Sequence, residues 1–409
     1  MKLELIQKAL RERGMDAWLF YDFHRRDPIA YRVLGLRANG MATRRWYYLV
    51  PASGDPVKLV HRIESGQLDA LPGEKRVYAS WQEHQGMLEE ILRPHQSLAM
   101  QYSPLNQIPY ISSVDAGTIE LIRSFGKTVV SSADLVQQFE ACWSQAALES
   151  HLEAGRRIDA LIAETFREIG KRVDTNGGTD EYSIQQLILE QFEQHHLTSG
   201  RMRPIVAVNR NSGNPHYEPS REQSSPIRAG DFVLLDVWAK LRKTGAVYYD
   251  VTWTGFVGDS PPQEIERVFQ IVRTARDRAV ECVQSAVREG RKLCGWEVDR
   301  AARSVITENG YGDYIFHRTG HSIGEEVHGN GANMDDLETH DDRQIVPHTC
   351  FSIEPGIYLP QFGVRSEVNV YVEEHDARTT GRVQEQLIRI PIDSARCERK
   401  HGDQRIGLR

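Results

Sequence analysis

Four carboxylates stand in apolar, strand-like runs of this chain. Asp236 follows Phe232-Val233-Leu234-Leu235, and Asp250 sits in Tyr248-Tyr249-Asp250-Val251-Thr252. Glu354 closes Phe351-Ser352-Ile353, and Glu367 lies in Val364-Arg365-Ser366-Glu367-Val368. Aspartate is disfavoured in strands, and a buried carboxylate without a partner is costly. Each of the four therefore needs a cation, a hydrogen-bond donor or a metal. Taken singly, each suits an exposed strand edge or an arginine partner. Taken together they do not, because these strands offer only Arg365 as an obvious counter-charge. Four carboxylates in one crevice repel unless about four positive charges lie among them, and two divalent cations supply that charge. A fifth element is His317-Arg318-Thr319-Gly320-His321-Ser322-Ile323-Gly324, with two histidines four apart among glycines. Neutral imidazole joins carboxylates around Mn, Fe, Co or Zn.

The elements that must position these groups recur. Leu152, Ile158, Leu161, Ile162, Phe166 and Ile169 follow a period near 3.6 and predict a helix. Asn176-Gly177-Gly178 breaks it, and Thr179 is placed to cap a second helix with Asp180 and Glu181 in its first turn. Two strand-like runs follow, Phe232–Val237 and Ala246–Phe256. The order then repeats. Ser260-Pro261-Pro262-Gln263 reads as a capping box with proline at the first helical position, ahead of an apolar stripe from Ile265 to Val283. A shorter helix around Val298–Ile306 stops at Asn309-Gly310, and the runs Cys350–Ile353 and Val364–Val372 close the second half. Helix, helix, strand pair, twice over, predicts two halves that pack with both strand pairs around one crevice.

Upstream, Ala17–Tyr21, Tyr47–Val50 and Val57–Val60 read as strands, and Gly86–Leu92 and Ala116–Ser124 as helix. This is an α/β pattern without a chemical motif, and a boundary is expected around Cys142–Ser144, where the long helical pattern begins. The sequence thus predicts an N-terminal domain over 1–143 and a catalytic domain over 144–409, α+β in class.

The order and context of the five candidate ligands resemble the pitta-bread metallopeptidases, the family of prolidase, aminopeptidase P and methionine aminopeptidase. The resemblance rests on LLDV around Asp236, YYDVTWTG around Asp250, HRTGHSIG around His321, FSIEPGIY around Glu354 and VRSEV around Glu367. It covers roughly residues 145–390. More loosely, GMDAWLFYD and YRVLGL resemble the smaller creatinase/prolidase-like N-terminal domain of the proline-specific branch. The resemblance implies two divalent metal ions per chain, manganese foremost, with cobalt, zinc or iron as alternatives. Asp236 would chelate one ion, Asp250 and Glu367 would bridge both, and His321 and Glu354 would complete the shells. Glu354 would also accept the proton of the attacking water. His328, seven residues after His321, matches the histidine that contacts substrate. His216 in Asn214-Pro215-His216-Tyr217 matches a second active-site histidine, and His317 a third, nearer the rim. Arg365 matches the arginine of the proline-specific branch. Substrates would be proline-containing peptides, cleaved as Xaa-Pro dipeptides or as longer chains from the N-terminus, and the family implies a homodimer.

The chain departs from the family pattern at several places. Trp238 stands where a glycine is usual, Trp253 where arginine is frequent, and Gly329 where a glutamate often follows the second histidine. The hairpin between Asp236 and Asp250 is longer. Trp238 and Trp253 suit either the apolar wall of a proline pocket or an ordinary core. Three other readings follow from the same residues. A creatinase would share the fold and size but lack the ligand set, which is complete here. A repurposed hydrolase or lyase would act on another small molecule. A non-catalytic member would only bind partners.

Composition narrows the classes. The chain has 409 residues, 40% of them hydrophobic and 26% charged, with a formal net charge of −7. That fits a globular protein of two or three domains and argues against nucleic acid or an anionic membrane as partner. No apolar run approaches the ~20 residues that a membrane helix needs. The opening MKLELIQKALRERGMDAWLF has charges at helical spacing and does not read as a signal peptide. Five scattered cysteines (142, 282, 294, 350 and 397) lack C-x-x-C pairing and predict reduced thiols in a cytoplasmic protein.

Overall fold

The computed structural model describes residues 3–37 and 41–392. Cys397 and the rest of the predicted catalytic span beyond 392 lie outside the described residues. The chain divides into two compact units, 1–141 and 142–409.

The first unit is built on a six-stranded mixed sheet. Its strands are β1 (Ala17–Asp22), β2 (Trp46–Pro51), β3 (Val57–His61), β4 (Glu74–Tyr78), β5 (Ser97–Met100) and β6 (Thr128–Ser131), in the order β4-β3-β2-β1-β5-β6. β1 and β2 are buried along their whole length, with Trp18, Phe20, Tyr48 and Val50 packing on one face and Leu19, Tyr21, Tyr47 and Leu49 on the other. Helices α1 (Leu3–Glu12), α2 (Pro28–Leu34), α3 (Trp81–Leu92) and α4 (Ala116–Ser124) accompany it.

The second unit contains the predicted repeat. Its first half carries α5 (Gln145–Asn176), α6 (Glu181–Gln194), β7 (Ile205–Val208), β8 (Phe232–Leu241) and β9 (Tyr249–Val257). Its second half carries α7 (Gln263–Arg288), α8 (Gly295–Glu308), β10 (Ser322–Ile323), β11 (Cys350–Ile353), β12 (Gly356–Tyr358), β13 (Gly363–Arg365), β14 (Val368–Val372), β15 (Ala377–Thr380) and β16 (Ile388–Ile390). β8 and β9 form an antiparallel hairpin, flanked by β16 on one edge and β7 on the other. A second antiparallel sheet runs β10-β11-β14-β15, and β12 pairs with β13. Strand alternation sorts the β8–β9 hairpin into two faces. Val233, Leu235, Val237 and Val251 pack with Ile158, Leu161 and Phe166 of α5. Phe232, Leu234 and Trp238 turn the other way, into a core shared with α7, α8, β11 and β14. Asp236 lies on that second face by alternation, between the two halves.

Three local readings change. The N-cap of α6 is Asp180, whose side chain accepts from Ser183 N–H, not Thr179. Ser260 does not cap α7, which starts at Gln263 without a side-chain cap. A residue ahead of proline is driven out of the helical region, and two successive prolines hold both Ser260 and Pro261 extended. The run Val364–Val372 is two strands, because the chain leaves its pairing with β12 and joins β11 on either side of Ser366-Glu367.

Candidate metal centre and active site

Both halves deliver carboxylates to one cavity of about 510 Å³. Its lining includes Asp236 and Asp250 from the hairpin, Glu354 just past β11, and Glu367 just ahead of β14. His216, His317, His321, His328 and Arg365 complete the set expected from the sequence, so all nine side chains line the same space. Asp236, Asp250, His321, Arg365 and Glu367 are buried, and Glu354 is nearly so.

Cross-strand register brings the first two carboxylates together. Asp236 pairs with Thr252, and Trp238 pairs with Asp250, so all four side chains share one face in two adjacent rows. His321 is held from the second half: its N–H donates to Ser352 Oγ at 2.9 Å, and its carbonyl accepts from Ser352 N–H at 2.9 Å. The chain passes so close here that a Cβ on Gly320 would lie 1.9 Å from the Ser352 carbonyl oxygen, which explains the glycine beside the histidine. Glu354 is anchored by its own N–H on the Thr319 carbonyl at 2.7 Å.

The side chains then form a network. His321 Nε2 lies 3.5 Å from both Asp250 Oδ2 and Glu354 Oε1. Arg365 bonds Asp236 through Nη2, donates from Nε to Thr252 Oγ1 at 2.9 Å, and donates from Nη1 to Tyr358 OH at 3.1 Å. Thr252 Oγ1 donates to Glu367 Oε2 at 2.8 Å. Tyr358 OH is 2.5 Å from His317 Nε2, whose Nδ1 is 2.7 Å from the Arg318 carbonyl. That network assigns the proton of His317 to Nδ1. His328 packs edge-on to His321, ring centroids 4.4 Å apart. His216 and His328 are the exposed members, while His317 is half-buried.

Electrostatics record an excess of negative charge. Burial lifts the carboxyl of Asp236 to about 7 in spite of Arg365, with Asp250 and Glu354 adding to it. Burial and repulsion from Asp250, Glu354 and Asp236 push Glu367 well above the usual carboxylate range. Burial raises Asp250 against the opposing pull of His321. Glu354 goes the other way: burial would raise it, but His321, His317 and Arg365 outweigh that and hold it ionised. Burial lowers His317 and, most of all, His328, where repulsion from His321 and Arg318 adds to it, so both are neutral imidazoles.

This donor set fits divalent cations. Asp250, His321 and Glu367 each present a ligand atom within 4.8 Å of the others, and all three are buried. Asp250 Oδ1 is buried without a hydrogen-bond partner. An orphaned carboxylate oxygen among raised carboxyls is what an oxygen-seeking cation would satisfy.

Similarity to known proteins points the same way. The profile of Metallopeptidase family M24 matches residues 149–374. The chain belongs to metallopeptidase family M24. It is 31% identical over 236 residues to a Xaa-Pro dipeptidase of Lactobacillus delbrueckii subsp. lactis, covering 58% of each chain. It is 33% identical over 185 residues to a Xaa-Pro dipeptidase of Pyrococcus furiosus, covering 45% of this chain and 48% of that one. The chain spans about half the length of the curated relatives it matches. Among solved structures it resembles dipeptidase PepE from Mycobacterium ulcerans, with TM-score 0.70 and 24% identity over 95% of this chain and 97% of that one. It also resembles a His243Ala aminopeptidase P of Escherichia coli, with TM-score 0.58 and 15% identity over 99% and 98%. At such identities these likenesses speak for the fold, which is the pitta-bread fold with the N-terminal domain of prolidases and aminopeptidases P. Among the described residues, no helix of this M24 protein is long and apolar enough to cross a membrane.

Four residues of the site were not singled out in the sequence as functional. Thr252 and Asn369 each stand two residues after a candidate ligand, where strand alternation returns the side chain to the same face. Ser352 and Tyr358 flank Glu354. Of the two tryptophans, Trp238 lines the cavity, whereas Trp253 points away and lines a separate cavity with Phe166 and Arg382.

Proposed function

We propose that this chain is a metal-dependent exopeptidase that hydrolyses Xaa-Pro bonds with two divalent ions, manganese foremost, held by Asp236, Asp250, His321, Glu354 and Glu367. The observation that carries the reading is the convergence of those five groups with His216, His317, His328 and Arg365 on one cavity of about 510 Å³. Bound there, divalent cations supply Lewis acidity and bring the pKa of water towards neutrality. The rest is the work of the protein's own residues. Glu354, ionised, accepting from Ser352 Oγ at 3.2 Å and 3.8 Å from Arg365 Nε, is the group that takes the proton of the attacking water. Neutral His328 is placed to hold the substrate and to donate to the oxygen on which charge develops. Arg365, Tyr358 and His317 form a chain of hydrogen bonds at one end of the cavity, where the proline side of the peptide and any free carboxylate would lie.

Proline lacks an N–H and fixes its own φ, so a peptidase that accepts it needs a wall for the ring and help for the leaving nitrogen. Metal-loaded enzyme is expected to cleave Ala-Pro over Ala-Ala by at least ~10-fold in kcat/KM, about 1.4 kcal/mol. A paired assay on those dipeptides and the matching tripeptides, with manganese or cobalt added, checks this and separates dipeptidase from aminopeptidase behaviour. Equal rates on both, or no cleavage of any peptide, would move the assignment to a different small-molecule hydrolase on the same fold.

A further inference from the structure

The two rows of the β8–β9 hairpin give the cavity two unlike ends. Asp236 and Thr252 form one row, and both bond Arg365, which in turn reaches Tyr358 and, through it, His317. Trp238 and Asp250 form the next row, one step farther along the strands from Arg365. The group Asp250, His321 and Glu367 spans the two rows, since Asp250 pairs with Trp238 in one and Glu367 accepts from Thr252 of the other. With its C-terminal side facing Arg365, a peptide bond held at that group leaves its other flank to the row that carries Trp238.

Trp238 is rigidly placed. It is 8% exposed, lines the cavity, and packs into the core with Leu234 and Phe232 on the same strand face. Trp253, three residues past Asp250 and so on the opposite face of β9, cannot share this role. A second observation concerns hydrogen bonding. Trp238 Nε1 is a buried donor without an acceptor, and Asp250 Oδ1, on the residue paired with it, is a buried acceptor without a donor. These two neighbours do not satisfy each other, so both leave their polar capacity to what the cavity takes in.

We propose that Trp238 selects the residue on the N-terminal side of the scissile bond, admitting small side chains and excluding large ones. This rests on the Xaa-Pro reading above, in which the proline and its carboxylate face Arg365. The remaining flank, bearing the Xaa side chain, then meets a bulky indole that core packing prevents from moving aside. Small Xaa groups fit under it, and aromatic ones collide with it.

The test compares wild type, Trp238→Ala and Trp238→Phe, all metal-loaded, on Gly-Pro, Ala-Pro, Leu-Pro and Phe-Pro. Reduced-bond analogues of the same dipeptides, with CH₂–N in place of the scissile amide, are titrated by calorimetry alongside. Wild type is expected to favour Ala-Pro over Phe-Pro by at least ~10-fold in kcat/KM and in analogue affinity. Trp238→Ala should bring the two within about 3-fold by admitting the larger residue. Trp238→Phe keeps most of the bulk and loses the N–H, so it should keep the size order and bind all analogues less tightly. It also serves if the alanine variant fails to fold. Wild type that prefers Phe-Pro, or a size order unchanged in Trp238→Ala, or no binding of any analogue, would overturn the inference. Analogue binding with the expected size order but no cleavage of any Xaa-Pro substrate would instead sink the exopeptidase reading and leave the pocket assignment standing.

Discussion

Asn369 holds the backbone of Asp250 from both sides. Its Oδ1 accepts the Asp250 N–H at 3.1 Å, and its Nδ2 donates to the Asp250 carbonyl oxygen. The first residue belongs to β14 in the second half and the other to β9 in the first, so one side-chain amide ties the two halves beside the candidate metal centre. All the groups involved are buried. Asn369→Ala removes both bonds and strands a buried N–H and C=O, which should destabilise the second unit by about 2–4 kcal/mol. The shift in urea midpoint, together with metal retained after dialysis, measures both consequences. A variant as stable as wild type with full metal content would show that the two halves are joined by other means.

The metal proposal has a pH signature. Asp236 and Glu367 have carboxyls raised by burial and by repulsion from Asp250 and Glu354, Asp236 to about 7. A raised carboxyl carries a proton below its folded-state pKa, and ligation requires that proton to leave. Metal affinity should therefore fall as the pH is lowered from 8 to 6, with protons released on binding. Calorimetry in two buffers of different ionisation enthalpy reads that release directly. The same titration should give two ions per chain for wild type and a loss of both metal and activity in Glu367→Ala. Full activity in chelator-treated protein would remove the dinuclear mechanism.

His328 and His321 lie ring to ring, yet different losses are expected from them. His321 reaches two carboxylates that belong to the ligand set, whereas His328 sits with a face open to the cavity and is held neutral. His328→Ala should keep its metal and lose ~10²–10⁴-fold in kcat, the range of a positioned acid, base or charge-stabilising group. His321→Ala should lose metal. Elemental analysis of the two variants beside their rates decides between these roles, and loss of metal from both would reverse the assignment of His328.

The sequence made the charged part of this site readable because burying a carboxylate in a strand has few solutions. Asp236, Asp250, Glu354 and Glu367 stand out against apolar neighbours, and the repeat of helix, helix and strand pair explains why two halves converge on them. Thr252 and Asn369 were not readable as functional, since a polar neutral residue in a strand carries no comparable penalty and half of them face solvent. The two tryptophans could have been told apart. Trp238 has the parity of Asp236, while Trp253 has the opposite parity to Asp250 and Thr252, so alternation alone assigns them to different faces. Helix starts differ from the Thr179 and Ser260 reading for another reason: the cap is the last residue still outside the helical region, and that residue is Asp180 in one helix and Pro262 in the other.

The last prediction concerns stability in acid and rests on a histidine outside the cavity. His151 of α5 is fully buried, with Nδ1 2.6 Å from the Tyr248 carbonyl and Nε2 2.6 Å from Thr380 Oγ1. The carbonyl can only accept, so Nδ1 carries the proton and Nε2 accepts from the threonine. Burial lowers the imidazole pKa to about 4, from an ordinary value near 6.5, although the Tyr248 carbonyl opposes the fall. Because the folded-state pKa is the lower one, the unfolded chain binds the proton more readily. The contribution is fully present above about 6.5 and is lost as the pH falls towards 4. At ~1.4 kcal/mol per unit the upper bound is about 3 kcal/mol. Wild type should therefore lose stability between pH 6.5 and 4, and His151→Gln, which keeps a polar side chain but cannot titrate, should lose less over the same interval even if it starts lower. Urea unfolding of both proteins at pH 7 and pH 4.5, followed by hydrogen exchange in α5, provides the comparison. Parallel losses in the two proteins would mean that carboxylates elsewhere, and not His151, set the acid limit of the second unit.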